Sequence, residues 1–431
     1  MQIIVNTTLR QVNVSTRPAY ASWPVAQAET PRIDAVYAHM PFCTTKCHYC
    51  DFYSLAGHLD QADAYLDALE REAALQARQL PMPARPETIF IGGGTPTLLE
   101  PPHLERMLRA VTRWLDLSAL REFTIEANPN TFSPERAEVL ARAGVNRISF
   151  GAQSFVGAEL AALQRDHDPQ SVAPAMAMAR AAGISNINLD LIFGIPGQTV
   201  DTWDYSLGQA LELGTQHISC YSLMYEPNTK LTARKAAGDV VPMPEEDELR
   251  LFEHVYAKLR AAGFERYEVS NYARPGQECR HNLHYWTGGN WLALGPSAAA
   301  KVGAYKWKNV GSLAHYLEAL APADAVLPLT AVERLAPGHA AGELAMLWLR
   351  LASGMDYAAF EKKTGIAAKA VVEQALARYA RMGLVDLLPE RAVIREHAVV
   401  LSDTLLGDVL AAFTARDVAG QGHVVQPSKR D

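Results

Sequence analysis

The chain has 431 residues, of which 49% are hydrophobic and 20% charged, and its formal net charge is -7. This length and composition indicate a globular protein with one large domain and one or two smaller ones. The negative charge argues against a general nucleic-acid binder, because neutralising phosphates requires a basic face, and no run approaches the roughly 18 consecutive apolar residues of a membrane span.

The N-terminal segment, residues 1–32, lacks the apolar core of a secretory signal peptide. It contains Arg10 and Arg17 and no acidic residue before Glu29, a feature that an organelle transit peptide would share. We interpret this segment as a loosely ordered extension of unknown purpose.

From residue 33 to residue 240, short apolar runs alternate with longer amphipathic ones. We predict strands at residues 36–39, 88–91, 123–127, 147–150, 187–193 and 217–223. We predict helices at residues 60–79, 103–114, 134–143, 171–182 and 201–213. The alternation predicts an α/β fold whose parallel sheet curves into a partial (β/α)6 TIM-like barrel. Functional residues of such a sheet gather at the carboxyl ends of its strands.

Three of the five cysteines, Cys43, Cys47 and Cys50, fall within eight residues directly after the first predicted strand. A 4Fe-4S cube prefers four thiolates, so three leave one iron free for an external chelator. In radical chemistry that chelator is S-adenosylmethionine, whose sulfonium is cleaved by an electron from the cluster. A zinc site completed by His39 or His48 stays open as an alternative. A disulfide framework is disfavoured, because five cysteines are an odd number and are sparse in a chain of this length. Three clustered thiolates instead favour a reducing cytoplasm.

Polar or glycine-rich segments also follow the later predicted strands. They are residues 92–97 (Gly-Gly-Gly-Thr-Pro-Thr), 126–129 (Glu-Ala-Asn-Pro), 153–155 (Gln-Ser-Phe), and Asp190 with residues 194–197 (Gly-Ile-Pro-Gly). Glycines let backbone amides approach a ligand closely, although a triple glycine also suits a plain tight turn. Polar groups at the rim of an apolar barrel are unfavourable unless they hold water or ligand, so the set favours a shared polar ligand.

Together these motifs resemble the radical SAM group around oxygen-independent coproporphyrinogen III oxidase, over about residues 33 to 415. The oxidases have a further cysteine two places after the third, where this chain has Phe52. This departure favours the haem chaperone HemW family, which as a family does not share the decarboxylation. Residues 278–286, Glu-Cys-Arg-His-Asn-Leu-His-Tyr-Trp, are similar to that family's His-Asn-x-x-Tyr-Trp haem-binding signature.

The resemblance implies specific roles for individual residues. Cys43, Cys47 and Cys50 would ligate a 4Fe-4S cluster. S-adenosylmethionine would be held by Tyr37, Tyr49, Gly93, Gly94, Thr95, Glu126, Gln153, Arg165, Asp190 and Met224. The oxidase relatives hold two S-adenosylmethionine molecules, and whether this chain holds the second is left open.

The signature segment also suits haem on chemical grounds. A neutral imidazole such as that of His281 is a good axial ligand, and Tyr285 and Trp286 offer flat faces to a porphyrin. Arg280 could pair with a propionate, and Cys279 is the rival ligand as a thiolate. With the family comparison, His281 is the ligand that we predict.

One local departure concerns the loop after Gly295-Pro296. The family usually continues Gly-Ala-His-Ser, whereas this chain has Ser297-Ala298-Ala299-Ala300. The change removes an imidazole from a loop expected near the adenosyl end of the ligand, and leaves the cluster ligands untouched.

Beyond the barrel we expect two further regions. Residues 241–330 would carry the haem-binding signature packed on the barrel. Residues 331–431 would form a small α+β, winged-helix-like domain with helices at 343–351 and 368–382 and strands at 384–385 and 392–394. Residues 331–431 contain 12 Lys and Arg against 12 Asp and Glu, so a lid or partner-docking role is favoured over nucleic-acid binding.

Three functions remain to be distinguished. The favoured one is a haem chaperone that binds haem and transfers it to acceptor proteins, respiratory or membrane-associated ones above all. The second is a radical SAM enzyme acting on a porphyrin, although coproporphyrinogen III oxidase activity is not expected. The third is a non-catalytic iron-sulfur or zinc protein. Whether S-adenosylmethionine is cleaved, and whether two chains form a homodimer, the sequence leaves open.

Overall fold

The computed structural model describes residues 19–322 and 324–420, with side chains described up to residue 415. Its core is a run of six parallel strands paired in chain order. They are β1 (Ala35–Met40), β2 (Thr88–Gly93), β3 (Glu122–Ala127), β4 (Arg147–Gln153), β5 (Asn186–Phe193) and β6 (His217–Ser222). The strands are buried on both faces, as their nearly continuous apolar runs require.

Helices connect these strands and cover the sheet. They are α1 (Ala62–Gln79), α2 (Pro101–Thr112), α3 (Pro134–Arg142), α4 (Gly157–Leu163), α5 (Val172–Ala181) and α6 (Val200–Glu212). At the start of α3, the Ser133 hydroxyl accepts a hydrogen bond from the amide of Arg136 at 3.3 Å. Directly after the helix, Gly144 adopts a positive φ of 87°, which ends it without a Cβ clash. The predicted partial barrel is confirmed, because the strand order is open and, among the described residues, no strand pairing closes it.

The sheet continues beyond the barrel on both sides. Next to β1 lies the parallel strand β7 (Trp291–Leu294), followed by the antiparallel strands β8 (Ala299–Val302), β9 (Tyr305–Asn309) and β10 (Leu329–Arg334). On the other side, Asn271–Ala273 pairs antiparallel with β6, and Glu265–Arg266 pairs with it in turn. The sequence analysis did not identify these strands.

Residues 241–330 pack on the barrel at several places. They contain α8 (Glu245–Ala261), α9 (Arg280–Trp286) and α10 (Leu313–Ala319), preceded in the chain by α7 (Lys230–Ala236). The helix α8 lies against α6, since the indole N–H of Trp203 donates to the Leu251 carbonyl at 3.3 Å. The signature helix α9 sits at the amino ends of the barrel strands.

The described part of the N-terminal segment is packed against the sheet. The amide of Ala21 donates to the carbonyl of Leu329 at 2.9 Å. Trp23 meets Trp307 edge to face, with ring centroids 5.0 Å apart, and Val25 is buried in the same cluster. The expectation of loose order is therefore wrong for the segment from Ala21 onwards, while residues 1–18 lie outside the described part of the chain.

The C-terminal region forms a second domain with its own apolar core. Its helices are α11 (Pro337–Leu349), α12 (Tyr357–Thr364), α13 (Lys369–Arg381) and α14 (Ser402–Gly420). The domain also contains a three-stranded antiparallel sheet. Its central strand, Arg391–Ile394, pairs with Met355–Asp356 on one side and with Val385–Leu387 on the other. This arrangement confirms the predicted α+β, winged-helix-like domain.

Within the described residues, one segment is long and apolar enough to cross a membrane by length and composition, Glu396–Ala415. Its Leu405, Leu406, Val409 and Phe413 are buried in the core of the C-terminal domain. This packing accounts for the apolar composition of the segment.

Candidate cluster and cofactor site

The cysteine loop leaves the carboxyl end of β1 and is fixed at three points. Phe42–Cys43 pairs in parallel with Leu55–Ala56. The amide of Cys50 donates to the carbonyl of Cys47 at 3.2 Å, and an amide of α7 donates to the His48 carbonyl at 2.8 Å. The three thiols are free and half-buried, so the loop presents them at the rim of the barrel rather than in its core.

Two polar side chains contact the sulfur atoms. The Thr95 hydroxyl lies 3.8 Å from Cys43 Sγ, and the Arg165 guanidinium lies 3.6 Å from Cys47 Sγ. Burial raises the pKa of Cys43, and it raises the pKa of the Cys50 thiol to about 11. Both thiols are therefore protonated near neutral pH on their own, and binding a metal is what would hold them as thiolates. A soft donor set of this kind, with a cation and a hydroxyl beside it, fits an iron-sulfur cluster.

The geometry around the loop also bears on the zinc alternative. Within residues 19–322 and 324–420, no three His, Cys, Asp or Glu side chains could hold a single metal ion. A cubane does not need such convergence, because each thiolate binds its own iron. His39 is not available as a fourth ligand, since its Nδ1 bonds to the Tyr37 hydroxyl at 2.9 Å and its Nε2 to the Tyr53 carbonyl at 2.7 Å.

The glycine-rich loop after β2 packs directly on the strand that carries the cysteines. A Cβ atom on Gly93, whose φ is 111°, would lie 2.5 Å from the His39 ring, and one on Gly94 would lie 2.4 Å from the Phe42 carbonyl oxygen. The amide of Thr95 donates to that same oxygen at 2.8 Å. The missing side chains thus permit close backbone approach between the two loops, and a ligand contact of Gly93, Gly94 and Thr95 stays a prediction.

Two carboxylates face each other inside the barrel below these loops. Glu126 Oε2 accepts from the Gly93 amide at 2.9 Å. Asp190 accepts from the Ser149 hydroxyl and from the Asn188 side-chain amide, both at 2.9 Å. Burial, together with the charge of Asp190, raises the pKa of Glu126 to about 7. Two carboxylates whose charges interact suit a cationic ligand, which would relieve their mutual repulsion.

The remaining predicted contact residues differ in how far they are enclosed by the protein. Tyr49 is partly buried near Arg165, whose guanidinium also donates to the Gly151 carbonyl at 2.9 Å. Gln153 ends β4 with a positive φ of 62°. Met224 is 58% exposed at the outer rim, so among the predicted residues it is the one least enclosed by the barrel.

The signature helix α9 is held by a carboxylate that the sequence analysis missed. Glu122, at the amino end of β3, accepts from the backbone amides of Arg280 at 2.8 Å and His281 at 3.0 Å. The Cys279 thiol donates to the same carboxylate at 3.4 Å and is fully buried. A glutamate at the start of a strand gives no sequence signal for this role, because its partners lie about 160 residues away.

His281 is enclosed at the bottom of the barrel. It is 1% exposed, its Nδ1 bonds to the Thr88 hydroxyl at 2.8 Å, and its Nε2 bonds to the Tyr285 hydroxyl at 2.9 Å. Trp286 is 4% exposed and lies under the guanidinium of Arg350, 5.9 Å from the ring centroid. In this conformation neither His281 nitrogen is free to bind iron, and the C-terminal domain covers the aromatic face of Trp286.

The cysteine loop and the signature helix lie at opposite ends of the barrel. Thr88, which contacts His281, begins β2, and Gly93 ends the same strand beside the cysteine loop. Five residues of strand separate them by about 16 Å. The barrel thus carries two distinct candidate sites.

The loop after β7 packs beside the cysteine strand. A Cβ atom on Gly295 would lie 2.3 Å from the His39 carbonyl oxygen. Ser297, where the family usually has glycine, has a positive φ of 64°. Ala299 is exposed and pairs with Lys308 on β9, so no imidazole stands at this position.

A buried carboxylate that the sequence analysis also missed, Glu72 on α1, anchors this loop. It accepts from the Gly295 amide at 2.8 Å, from the Asn309 side chain at 2.6 Å and from the Tyr316 hydroxyl at 2.5 Å. The Gln76 side-chain amide donates to it at 3.0 Å. The loop that borders the cysteine strand therefore depends on a carboxyl group with four donors.

Comparison with known proteins places this arrangement in a family. The Radical SAM superfamily model matches residues 37–208, and the HemN C-terminal domain model matches residues 335–401. The solved coproporphyrinogen III oxidase (HemN) from Escherichia coli has the same fold, with a TM-score of 0.78 at 23% identity over 90% of this chain and 92% of that one.

Curated relatives extend the similarity to nearly whole proteins. The heme chaperone HemW of Bacillus subtilis (strain 168) is 34% identical over 87% of this chain and 99% of the relative. The heme chaperone HemW of Mycobacterium tuberculosis (strain ATCC 25618 / H37Rv) is 38% identical over 87% of this chain and 94% of the relative. With the cysteine loop, the partial barrel and the C-terminal domain all in place, the chain belongs to the haem chaperone HemW family of radical SAM proteins.

Proposed function

We propose that this chain is a radical SAM-type 4Fe-4S protein that binds haem and transfers it to acceptor proteins. The observation that carries the proposal is the pairing of a three-thiol loop at one end of the barrel with a His-Asn-x-x-Tyr-Trp helix at the other. The names of the relatives support haem as the cargo. Respiratory proteins, some of them membrane-associated, are the acceptors that we propose, and the cytoplasm is the proposed location.

At the cysteine end, Cys43, Cys47 and Cys50 would hold the cluster. When bound, the cluster supplies a fourth iron for chelation and one electron for cleaving a sulfonium. Arg165 places a positive charge 3.6 Å from Cys47 Sγ, next to the proposed cluster. Thr95 adds a hydrogen bond to Cys43 Sγ.

S-adenosylmethionine would bind between this loop and the carboxylates of the barrel interior. The ligand carries a cationic sulfonium and an amino group, and the carboxylates of Glu126 and Asp190 offer matching negative charge. Loss of the proton that burial keeps on Glu126 would accompany binding of the cation. Tyr37, Tyr49, Gly93, Gly94, Thr95, Gln153, Arg165 and Met224 complete the proposed contacts.

At the other end, His281 is the proposed axial ligand, with Tyr285 and Trp286 as porphyrin contacts. Because both ring nitrogens of His281 are bonded, ligation requires the hydrogen bond to Thr88 or the one to Tyr285 to break. The proposal therefore includes a local opening of α9 before haem is bound.

The decisive experiment is anaerobic reconstitution with iron and sulfide followed by titration with haem. The wild-type chain is expected to gain the visible absorption of a 4Fe-4S cluster and then a Soret band. Replacing all three motif cysteines with alanine should abolish the cluster and leave a soluble, folded chain, because the loop lies at the rim. Zinc in place of iron and sulfide in an oxygen-free preparation would refute the cluster.

His281→Ala tests the haem ligand, and His284→Ala on the same helix is its matched control. We expect His281→Ala to weaken haem binding while the cluster absorption is unchanged. Equal haem affinity in wild type and His281→Ala would refute the assignment, and loss of affinity only in His284→Ala would transfer the role to that residue.

The second candidate, a porphyrin-decarboxylating enzyme, is favoured only by the fold shared with HemN. Where the oxidases have a fourth cysteine, this chain has Phe52, a half-exposed side chain that offers no thiolate. Incubation with coproporphyrinogen III, S-adenosylmethionine and a reductant should yield no protoporphyrinogen, and clear turnover would establish this second function instead.

A further inference from the structure

Three lysines converge where α9, the outer sheet and the C-terminal domain meet. Lys301 on β8 and Lys306 on β9 are directly opposite each other in the antiparallel pair. Lys363 on α12 reaches the same place, with its Cε 3.7 Å from where a Cβ on Gly288 would stand. We call Lys301, Lys306 and Lys363 the lysine junction.

Lys301 is held against the end of the signature helix. Its Nζ donates to the carbonyls of Gly288 at 3.3 Å and Gly289 at 3.4 Å, directly after α9. The same ammonium lies 6.0 Å from the ring centroid of Trp291. These neutral contacts position the ammonium but do not balance its charge.

The junction carries more positive than negative charge. Lys306 forms an ion pair with Glu343, which also meets His339 at 3.3 Å, and Lys306 lies opposite Glu333 on β10. Within the part of the chain that the structure describes, no carboxylate forms an ion pair with Lys301 or Lys363. The nearby imidazole of His284 on α9 does have a carboxylate beside it, since its Nε2 lies 4.0 Å from Asp34 Oδ2.

Such an arrangement is unfavourable without an additional anion. Like charges directly opposite each other on neighbouring strands destabilise the pair. Lys306 is only 14% exposed, so water screens the repulsion poorly. Burial and the charges of the other two lysines lower the pKa of Lys301 to about 8, and the opposing charge of Glu343, which is paired with Lys306, does not cancel this shift.

We propose that the lysine junction is an anion site that binds the propionate carboxylates of haem at the end of α9, through Lys301 and Lys363. This inference rests on the proposed function and adds to it the place where the acidic edge of the porphyrin docks. The two propionates leave one edge of the porphyrin, which matches two unpaired ammonium groups beside the signature helix. Lys363 is exposed, so the site opens to solvent on that side. Arg280, at the opposite end of α9, is the rival partner for a propionate.

The test compares haem with haem dimethyl ester, in which both carboxylates are masked. Titrations followed at the Soret band would use the reconstituted wild-type chain, Lys301→Met and the exposed variant Lys363→Glu. Lys362→Glu, one residue earlier on the same helix, makes the same charge reversal outside the junction and is the matched control. We expect Lys301→Met and Lys363→Glu each to weaken haem binding about tenfold, the equivalent of one charge-assisted hydrogen bond.

Neither of the two junction variants should alter the affinity for the dimethyl ester, and Lys362→Glu should bind haem as the wild type does. Equal haem affinity in Lys363→Glu and wild type would overturn the inference even if Lys301→Met does not fold. Equal weakening for haem and the ester would assign the lysines a packing role and overturn it too. If the wild-type chain binds no haem at all, the proposed function falls together with the inference, whereas the preceding outcomes refute the inference alone.

Discussion

The carboxyl group of Glu72 should make the stability of the protein depend on pH in a direction that is unusual for an acidic residue. Burial raises its pKa in the folded state to about 7, although four donors bond to it. The neighbouring side-chain oxygens of Gln76 and Asn309 are buried without a hydrogen-bond partner. A protonated Glu72 could donate to either oxygen after a flip of the amide, which supports the neutral form.

The magnitude follows from the difference between the folded and unfolded pKa values. Because the folded pKa is higher, the folded state holds the proton more tightly, and stability present at low pH is lost as the pH rises from about 4.5 through about 7. At 1.36 kcal/mol per pKa unit, Glu72 alone removes about 2.5 kcal/mol from the free energy of unfolding between pH 5 and pH 8. Glutamine is neutral at every pH and nearly isosteric, so Glu72→Gln should lack this component.

The assay is urea unfolding of wild type and Glu72→Gln without cofactors, at pH 5 and at pH 8. The difference between the two proteins at each pH cancels the titration of all other groups. From pH 5 to pH 8, the free energy of unfolding of Glu72→Gln should rise by about 2.5 kcal/mol relative to that of the wild type. A difference that stays constant with pH, or that moves in favour of the wild type, would refute the assignment of a raised pKa to Glu72.

Three further changes test the backbone and the haem site. Ser297→Gly should raise the free energy of unfolding by about 1 kcal/mol, because glycine adopts the positive φ at this position without strain; a lower unfolding midpoint would contradict this. Gly93→Ala should lower the free energy of unfolding by about 3 kcal/mol, because the new Cβ would clash with the buried His39 imidazole and alanine is strained at this positive φ. Gly183→Ala is the control, since its φ is also positive but the new Cβ would stand in open space, and it should cost about 1 kcal/mol. Equal losses in the two variants would show that the contact with His39 is unimportant. Tyr285→Phe should strengthen haem binding about fivefold by freeing Nε2 of His281, as read from the Soret titration; weaker binding would indicate that the hydroxyl itself contacts haem.

Local sequence patterns were sufficient for the barrel and for the position of the cysteine loop at its rim. All six predicted strands are present within a few residues of their predicted ends, because buried parallel strands are short apolar runs separated by amphipathic helices. The three cysteines needed only their spacing to be recognised. The packing of Trp23 could not be predicted, because its partner Trp307 lies on a strand that the sequence analysis did not identify.

The outer strands were missed for a physical reason. Trp291–Leu294 is a four-residue apolar run after two glycines, and periodicity cannot tell such a run from a buried loop. Its pairing with β1 places the following Gly295 against the cysteine strand. This neighbourhood arises from pairing of residues some 250 positions apart, and no local pattern encodes it.

His281 shows how tertiary contacts can change the meaning of a motif. A histidine among polar and aromatic residues indicates an accessible ligand when only the sequence is considered. In the fold, Thr88 and Tyr285 bond both of its ring nitrogens, and Glu122 holds the start of its helix. Breaking the hydrogen bond at the nitrogen that binds iron costs about 1 kcal/mol, which would lower the haem affinity of the closed form about fivefold relative to an exposed imidazole. A carrier that must release its cargo to an acceptor benefits from this competition, because the same hydrogen bond re-forms when haem leaves.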